Sequence, residues 1–252
     1  MNFDPTYNPF SLVGKTILIT GASSGIGRAT AIECSKLGAK CVITGRNEER
    51  LNETLAQMAG DGHISVVADI STQEGIDALV EQSPAIDGLV NNAGISGNKP
   101  IKFYKQDDLD RIFQTNAFAP MLLVKGILKK KKINDGGSVV FTSSVAAYNS
   151  SLGNGIYGSS KAALAAYMRY CARELAIKKI RANSIHPAMV ETPLIHGGSI
   201  SELDLQNDMA KYPLGRYGKP EEIAQMIIYL LSDASAWVTG TSMLIDGGIS
   251  LK

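Results

Sequence analysis

Short runs of β-branched and aliphatic residues recur along the chain, each bounded by glycine or polar residues and followed by a longer stretch with helical spacing. Thr16-Ile17-Leu18-Ile19-Thr20 comes first. It is apolar through its middle without polar alternation, as a strand buried on both faces requires. Arg28 to Leu37 then reads as a helix, with Gly38 as its C-cap. Cys41-Val42-Ile43-Thr44 predicts a second strand and Glu48 to Ala59 a second helix. Further strands are expected at Ile64 to Ala68, Gly88 to Val90, Ser138 to Thr142, near 180–186, and at Ser242 to Ile245. Helices are expected near 72–83 and 107–132, and over Tyr157 to Ile177 and Glu221 to Leu231. Residues 1–12 read as a loose N-terminal arm. About seven strands alternating with helices imply right-handed crossovers and a doubly wound parallel sheet, an α/β architecture. No internal repeat or low-complexity tract interrupts it.

A length of 252 residues suits one domain, 1–252, and leaves no room for a separate substrate domain. Hydrophobic residues at 44% and charged residues at 19% are ordinary for a protein with a sizeable core. A net charge of +1 and a pI near 7.7 give no overall attraction to nucleic acid or membrane. Cys34, Cys41 and Cys171 are scattered and odd in number, so they read as reduced core thiols. His63, His186 and His196 lack metal-ligand spacing, and no metal site is expected. Met1-Asn2-Phe3-Asp4-Pro5 does not begin a signal peptide, and the run Phe118 to Val124 is too short to span a bilayer. The expected compartment is the cytoplasm.

The chemistry-bearing residues cluster where strands end. Gly21, Gly25 and Gly27 lie between the first strand and helix. There they let backbone approach a pyrophosphate at the positive end of the helix. Their spacing is Gly-x3-Gly-x-Gly, not the general Gly-x-Gly-x-x-Gly. Dehydrogenases using NAD commonly carry an acidic residue at the end of the second strand. This chain has Gly45 and then Arg46 there. The missing carboxylate removes repulsion for a 2′-phosphate, and a guanidinium binds one bidentately, which points to NADP(H); Arg46 also reads as a solvated loop residue. Asn91-Asn92-Ala93-Gly94 follows the fourth strand, at the sheet edge where ligands bind; its amides also suit a purely structural tie.

Tyr157 and Lys161 are one helical turn apart, with Ser144 ahead of them. Carbonyl reduction needs a hydride on carbon and a proton on oxygen. A phenol titrates near pH 10, roughly, and a nearby ammonium favours the phenolate and brings that value towards neutrality. A serine hydroxyl there holds the substrate oxygen beside the phenol.

The ordered set Gly21-x3-Gly25-x-Gly27, Asn91-Asn92-Ala93-Gly94, Asn116, Ser144, Tyr157 and Lys161 resembles the short-chain dehydrogenase/reductase family, from about Val13 to Gly248. The resemblance implies a Rossmann-like sheet, with Tyr157 as acid/base, Lys161 also holding the nicotinamide ribose, and Asn116 supporting a water-linked proton path. It implies cofactor contacts from Gly21, Ser23, Ser24, Gly25, Ile26, Gly27, Arg46, Asp69, Ile70, Asn92, Ala93, Gly94, Tyr157, Lys161, Pro187, Val190 and Thr192. Asp69 equally reads as a helix-start residue before Ser71. Pro187-Ala188 departs from the family's usual Pro-Gly, placing a methyl beside the nicotinamide.

Residues 188–219 correspond to the segment that covers the substrate in relatives. Leu194, Ile195, Leu203, Leu205, Met209 and Tyr212 suit an apolar substrate or the packing face of a short helix, with Gly197-Gly198 as a hinge. Relatives that reduce 3-oxoacyl groups on acyl carrier protein carry basic residues where this chain has Lys129 to Lys132 and Lys178, Lys179 and Arg181; such runs also suit solvated helix ends. The implied function is an NADP(H)-dependent reductase of a 3-oxoacyl thioester. Alternatives are a reductase or dehydrogenase of another ketone, sugar or steroid, and a non-catalytic dinucleotide-binding regulator. Relatives pair the helices near 107–132 and 157–177 and build a second interface from the tail, here Trp237 to Leu251, so the resemblance implies a homotetramer. Ala162, Ala163, Ala165 and Ala166 allow close helix approach but also simply favour helix formation and packing on the sheet.

Overall fold

The computed structural model describes residues 7–193 and 202–251, with Glu202 and Leu203 described in backbone only. Seven strands form one sheet: β1 (Thr16–Thr20), β2 (Lys40–Gly45), β3 (Ile64–Val67), β4 (Ile86–Asn91), β5 (Ile133–Thr142), β6 (Arg181–Pro187) and β7 (Ser242–Ile245). Their order is β3-β2-β1-β4-β5-β6-β7, and every neighbouring pair is parallel. The chain starts mid-sheet, winds out to β3, returns beside β1 and winds out the other way. The order therefore reverses between β1 and β4, and a crevice opens beyond their carboxyl ends.

The helices are α1 (Gly25–Lys36), α2 (Glu48–Leu55), α3 (Gln73–Gln82), α4 (Gln106–Phe113), α5 (Ala119–Lys129), α6 (Gly155–Leu175), α7 (Glu202–Met209) and α8 (Pro220–Leu231). Alternate residues of each strand face opposite sides, and both sides are covered. Leu18, Val42, Leu89, Val139 and Phe141 pack with Ile76, Leu123 and Leu164 beneath α3, α5 and α6. Ile17, Ile19, Ile43, Val90 and Val140 pack with Ala31, Ile223 and Ile227 beneath α1 and α8. This is why the strand runs are apolar throughout rather than alternating.

Gly38 ends α1 at φ +90, and a Cβ there would lie 2.6 Å from a Val13 methyl, so the stop needs glycine twice over. Leu12 is fully buried and its N–H donates to the Leu37 carbonyl at 3.0 Å. The helix expected across 107–132 is interrupted. A π-helical turn, Gln114–Phe118, sits between α4 and α5 and inserts Asn116 into the protein. The three cysteines are buried free thiols. Among the described residues no helix is long and apolar enough to cross a membrane.

Candidate active site

The turn after β1 is built around missing side chains. Gly21 and Gly25 have φ of +68 and +53, and a Cβ on Gly27 would lie 2.3 Å from the Gly21 carbonyl oxygen. The Ser24 side chain does not cap α1 and no acidic residue lies in its first turn, so among the described residues the positive helix end is left for a ligand. Ser23 and Ser24 are half-buried on this turn, while Ile26 leans on the core beneath α1. Thr192 closes over it: a Cβ on Gly25 would stand 3.1 Å from the Thr192 methyl. These features fit a dinucleotide pyrophosphate.

Asn92 ties the two central strand ends together. Its Nδ2 donates to the Thr20 carbonyl at 3.1 Å, and the Asn92 and Ala93 N–H groups both donate to Thr20 Oγ1 at 3.0 Å. The structural tie is thus made by Asn92, with Thr20, unmarked by any motif, as its receiver. At the end of β2, Gly45 lies against Ser23. Arg46 is exposed and, among the described residues, makes no hydrogen bond or ion pair. Burial pushes the Asp69 carboxyl up, but its Ser71 hydrogen bonds and the Arg46 charge outweigh this and hold it below its ordinary value. Asp69 Oδ1 accepts from both Ser71 N and Ser71 Oγ, at 3.0 and 2.7 Å, so the helix-start role is in place. The Ile70 side chain belongs to the core, leaving its backbone for any ligand.

The structure brings Ser144, Tyr157, Lys161 and Asn116 together at the crevice's other end. Ser144 follows β5 and its Oγ accepts from Ala146 N at 3.1 Å, leaving the hydroxyl hydrogen free to donate. That hydroxyl faces the Tyr157 phenol and favours its ionised form. Lys161 is buried; its Nζ lies 5.9 Å from the Tyr157 ring centre and donates to the Thr142 carbonyl at 2.8 Å. Burial alone brings the ammonium down to about 8. Asn116 Nδ2 donates to the Ile95 carbonyl and to Ser160 Oγ, at 2.9 and 3.0 Å, and its Oδ1 accepts from Ile95 N at 2.8 Å. A Cβ on Gly94 would stand 3.1 Å from Lys161 Nζ and 3.3 Å from Asn116 Oδ1, so glycine keeps that approach open.

One expectation is reversed. Burial pushes the Tyr157 phenol above its ordinary value, and the Ser144 hydroxyl offsets this only in part. The Lys161 ammonium, 5.9 Å from the ring centre and bonded to the Thr142 carbonyl, does not bring it below that value. The resting phenol is protonated at neutral pH.

Pro187 and Val190 are buried, and Ala188 has none of the positive φ that would strain a residue with a Cβ, so the loop takes its methyl without distortion. Beyond it, Val190 bridges to Gly218, and Tyr212 is buried with its hydroxyl accepting from Met189 N at 3.3 Å. Tyr212 is therefore an anchor of this segment rather than an apolar wall. Leu205 and Met209 lie half-buried on α7; Leu194, Ile195, Gly197 and Gly198 fall outside the described residues, as does the Leu203 side chain.

A sheet with this switch point, a glycine cradle and a Ser-Tyr-Lys set defines a nicotinamide-dependent oxidoreductase acting on carbonyl and alcohol groups. A family model described as enoyl-(acyl carrier protein) reductase matches residues 21–250. The 3-oxoacyl-(acyl-carrier-protein) reductase of Thermotoga maritima is 34% identical over 244 residues, covering 94% of this chain and 98% of that protein. A tropinone reductase homolog of Arabidopsis thaliana is 34% identical over 253 residues, covering 96% of this chain and 95% of that protein. A solved structure of a short chain dehydrogenase/reductase family protein superposes with a TM-score of 0.83 at 35% identity, covering 94% of this chain and 97% of its own. The chain belongs to the short-chain dehydrogenase/reductase family.

Proposed function

We propose that the protein is an NADPH-dependent reductase of a 3-oxoacyl thioester, in which Tyr157 is the proton donor. The observation that carries this is the half-buried Tyr157 phenol with the Ser144 hydroxyl beside it and the Lys161 ammonium 5.9 Å from its ring centre. When bound, the nicotinamide supplies hydride to the carbonyl carbon. Ser144 Oγ–H donates to the carbonyl oxygen and places it against the phenol. Tyr157 gives that oxygen its proton, and the Lys161 charge favours the phenolate left behind. Asn116 holds the Ile95 backbone next to Gly94 and, with Lys161, borders the path by which a proton returns. A Ser–Tyr pair set for an oxygen atom suits ketone reduction, as the name of the Thermotoga relative also says of that protein. The Arabidopsis relative's name favours a second reading, a ketone other than a thioester. Following NADPH loss across 3-oxoacyl thioesters, simple ketones and sugars tests both. No turnover of any carbonyl would leave the non-catalytic regulator.

The cofactor choice rests on Gly45 and Arg46. With no carboxylate to bond the ribose 2′-hydroxyl and an unengaged guanidinium beside the site, NADPH is the expected partner. Arg46→Ala is expected to weaken NADPH by about ten- to a hundredfold, the worth of a bidentate charge-assisted contact, while NADH changes little. Equal specificity constants for the two cofactors in the wild type would refute this.

We infer docking to acyl carrier protein from a smaller basic set than the sequence offers. Lys132 donates to the Glu81 and Ser83 carbonyls, Lys130 pairs with Glu81, and Arg181 is committed to the Leu230 and Ser232 carbonyls. Lys178 lies 4.0 Å from Asp135, and Lys129, Lys131 and Lys179 remain exposed for an acidic partner. Residues 188–219 are proposed to cover the substrate, and the cytoplasm is the proposed compartment.

Self-association is the other proposal. Ala165 is buried, but Ala162, Ala163 and Ala166 are half-open on α6, near exposed Tyr170 and Ile177. The tail presents Trp237 at 100% exposure and Leu251 at 79%, large apolar surface that a second copy would cover. Light scattering coupled to gel filtration is expected to give a tetramer; a monomer at micromolar protein would rule it out.

A further inference from the structure

We propose that His186 is a positioning residue, holding the Ser144 peptide in its neutral, Nδ1-protonated form and so fixing the Ser144 hydroxyl against Tyr157. The β5–β6 ladder runs out at Ser143, whose N–H donates to the Ile185 carbonyl at 2.9 Å. The next carbonyl, that of Ser144, accepts from Ala147 N at 3.0 Å and meets the His186 side chain, with Nδ1 at 3.1 Å. A carbonyl only accepts, so Nδ1 carries the hydrogen. In a neutral ring Nε2 must then accept, and its neighbour is Ser184 Oγ at 2.9 Å. Ser184 therefore donates to the ring and accepts in turn from Ser242 Oγ at 3.0 Å. One directed chain results, Ser242 to Ser184 to His186 to the Ser144 carbonyl, running from β7 across β6 into the loop that carries the serine.

Tyr148 closes the ring from outside, with centroids 4.8 Å apart. Burial lowers the imidazole's affinity for a second proton; the Lys161 charge adds to this, and the Ser144 carbonyl opposes it without prevailing. A doubly protonated ring would also reverse the serine chain. His186 itself touches no reacting atom. It acts on where Ser144 stands, and a misplacement on the order of 1 Å at such a group costs about a hundredfold.

The inference rests on the reductase reading, and two measurements separate them. His186→Asn keeps an N–H at the δ position, whereas His186→Leu removes it at similar volume. With the carbonyl that the wild type turns over best, His186→Leu is expected to lose about tenfold or more in kcat, with KM and the NADPH Kd within about twofold, and His186→Asn to recover most of it. Wild-type kcat in His186→Leu, no recovery in His186→Asn, or a parallel loss of NADPH affinity would overturn the proposal. The second measurement needs no activity: 15N NMR of wild type labelled at histidine, with the His186 signal assigned from its absence in His186→Asn. Hydrogen on Nδ1 alone at pH 7 is expected, and hydrogen on Nε2 would overturn the proposal even if no carbonyl were reduced or His186→Leu failed to fold. An inactive wild type with the Nδ1–H ring would instead sink only the reductase reading.

Discussion

Tyr157→Phe is expected to lower kcat by about 10²–10⁴-fold, the worth of a positioned general acid, and to leave the NADPH Kd within about twofold. The substitution removes one oxygen. The ring keeps its place on α6, and Lys161 keeps its bond to the Thr142 carbonyl, so of the groups that would hold the dinucleotide only the Tyr157 hydroxyl is lost. What disappears is the proton for the substrate oxygen and the partner of the Ser144 hydroxyl. Because burial holds the phenol protonated, the wild type starts each reduction with its acid loaded. Steady-state NADPH consumption and a fluorescence titration check the two halves. A variant that keeps more than a few per cent of the wild-type rate would show that the acid lies elsewhere. Ser144→Ala is expected to share the kcat defect, because the same oxygen loses its second donor.

The sheet was legible because its strands are buried on both faces. Thr16–Thr20 and Ser242–Ile245 have the bounds that their apolar runs predict. β5 begins earlier than expected, at Ile133, because Asn134-Asp135-Gly136-Gly137 carries no apolar signal and joins the strand through a register shift opposite Ile86 and Gly88. α2 stops at Leu55 rather than Ala59, where the chain turns back to offer Ala59 N to Ser35 Oγ. The π turn at Gln114–Phe118 had no periodic signature: one extra residue shifts the helical phase, and flanking residues merely read as a longer helix.

For the site, residue types at strand ends located the glycine turn, Gly94 and the Tyr157–Lys161 pair, because chemistry restricts what can stand there. Balance between forces was not legible. The effect of Lys161 on Tyr157 depends on burial and on the Thr142 carbonyl, neither of which the spacing encodes. His186 did leave a trace, since Ser184 and His186 occupy one face of β6 two residues apart, but only the fold shows the Ser144 carbonyl at the end of that face.

Lys161→Met is expected to remove activity and to make the protein more stable at neutral pH. The folded-state ammonium titrates at about 8 against 10.5 for the free group, so the unfolded chain binds this proton more tightly. Below pH 8 both states are charged and the burial cost is fully present; at about 1.4 kcal/mol per unit it is on the order of 3 kcal/mol. Between pH 8 and 10.5 the folded state has shed the proton and the cost fades, so wild-type stability rises relative to the variant across that window. Methionine fills similar volume but leaves the Thr142 carbonyl without its donor, at about 1–3 kcal/mol, so the net gain at pH 7 is about 1 kcal/mol, or roughly 2–4 °C in Tm. Turnover should fall about a hundredfold or more, because the phenolate left after proton transfer loses the Lys161 charge. For the same reason, wild-type reduction should decline above pH 8 as the ammonium deprotonates. Denaturant melts of both proteins from pH 7 to 10.5 read the first effect and NADPH consumption the second. A stability difference that stayed flat with pH would mean that Lys161 folds with an ordinary proton affinity, and its place behind Tyr157 would then owe nothing to burial.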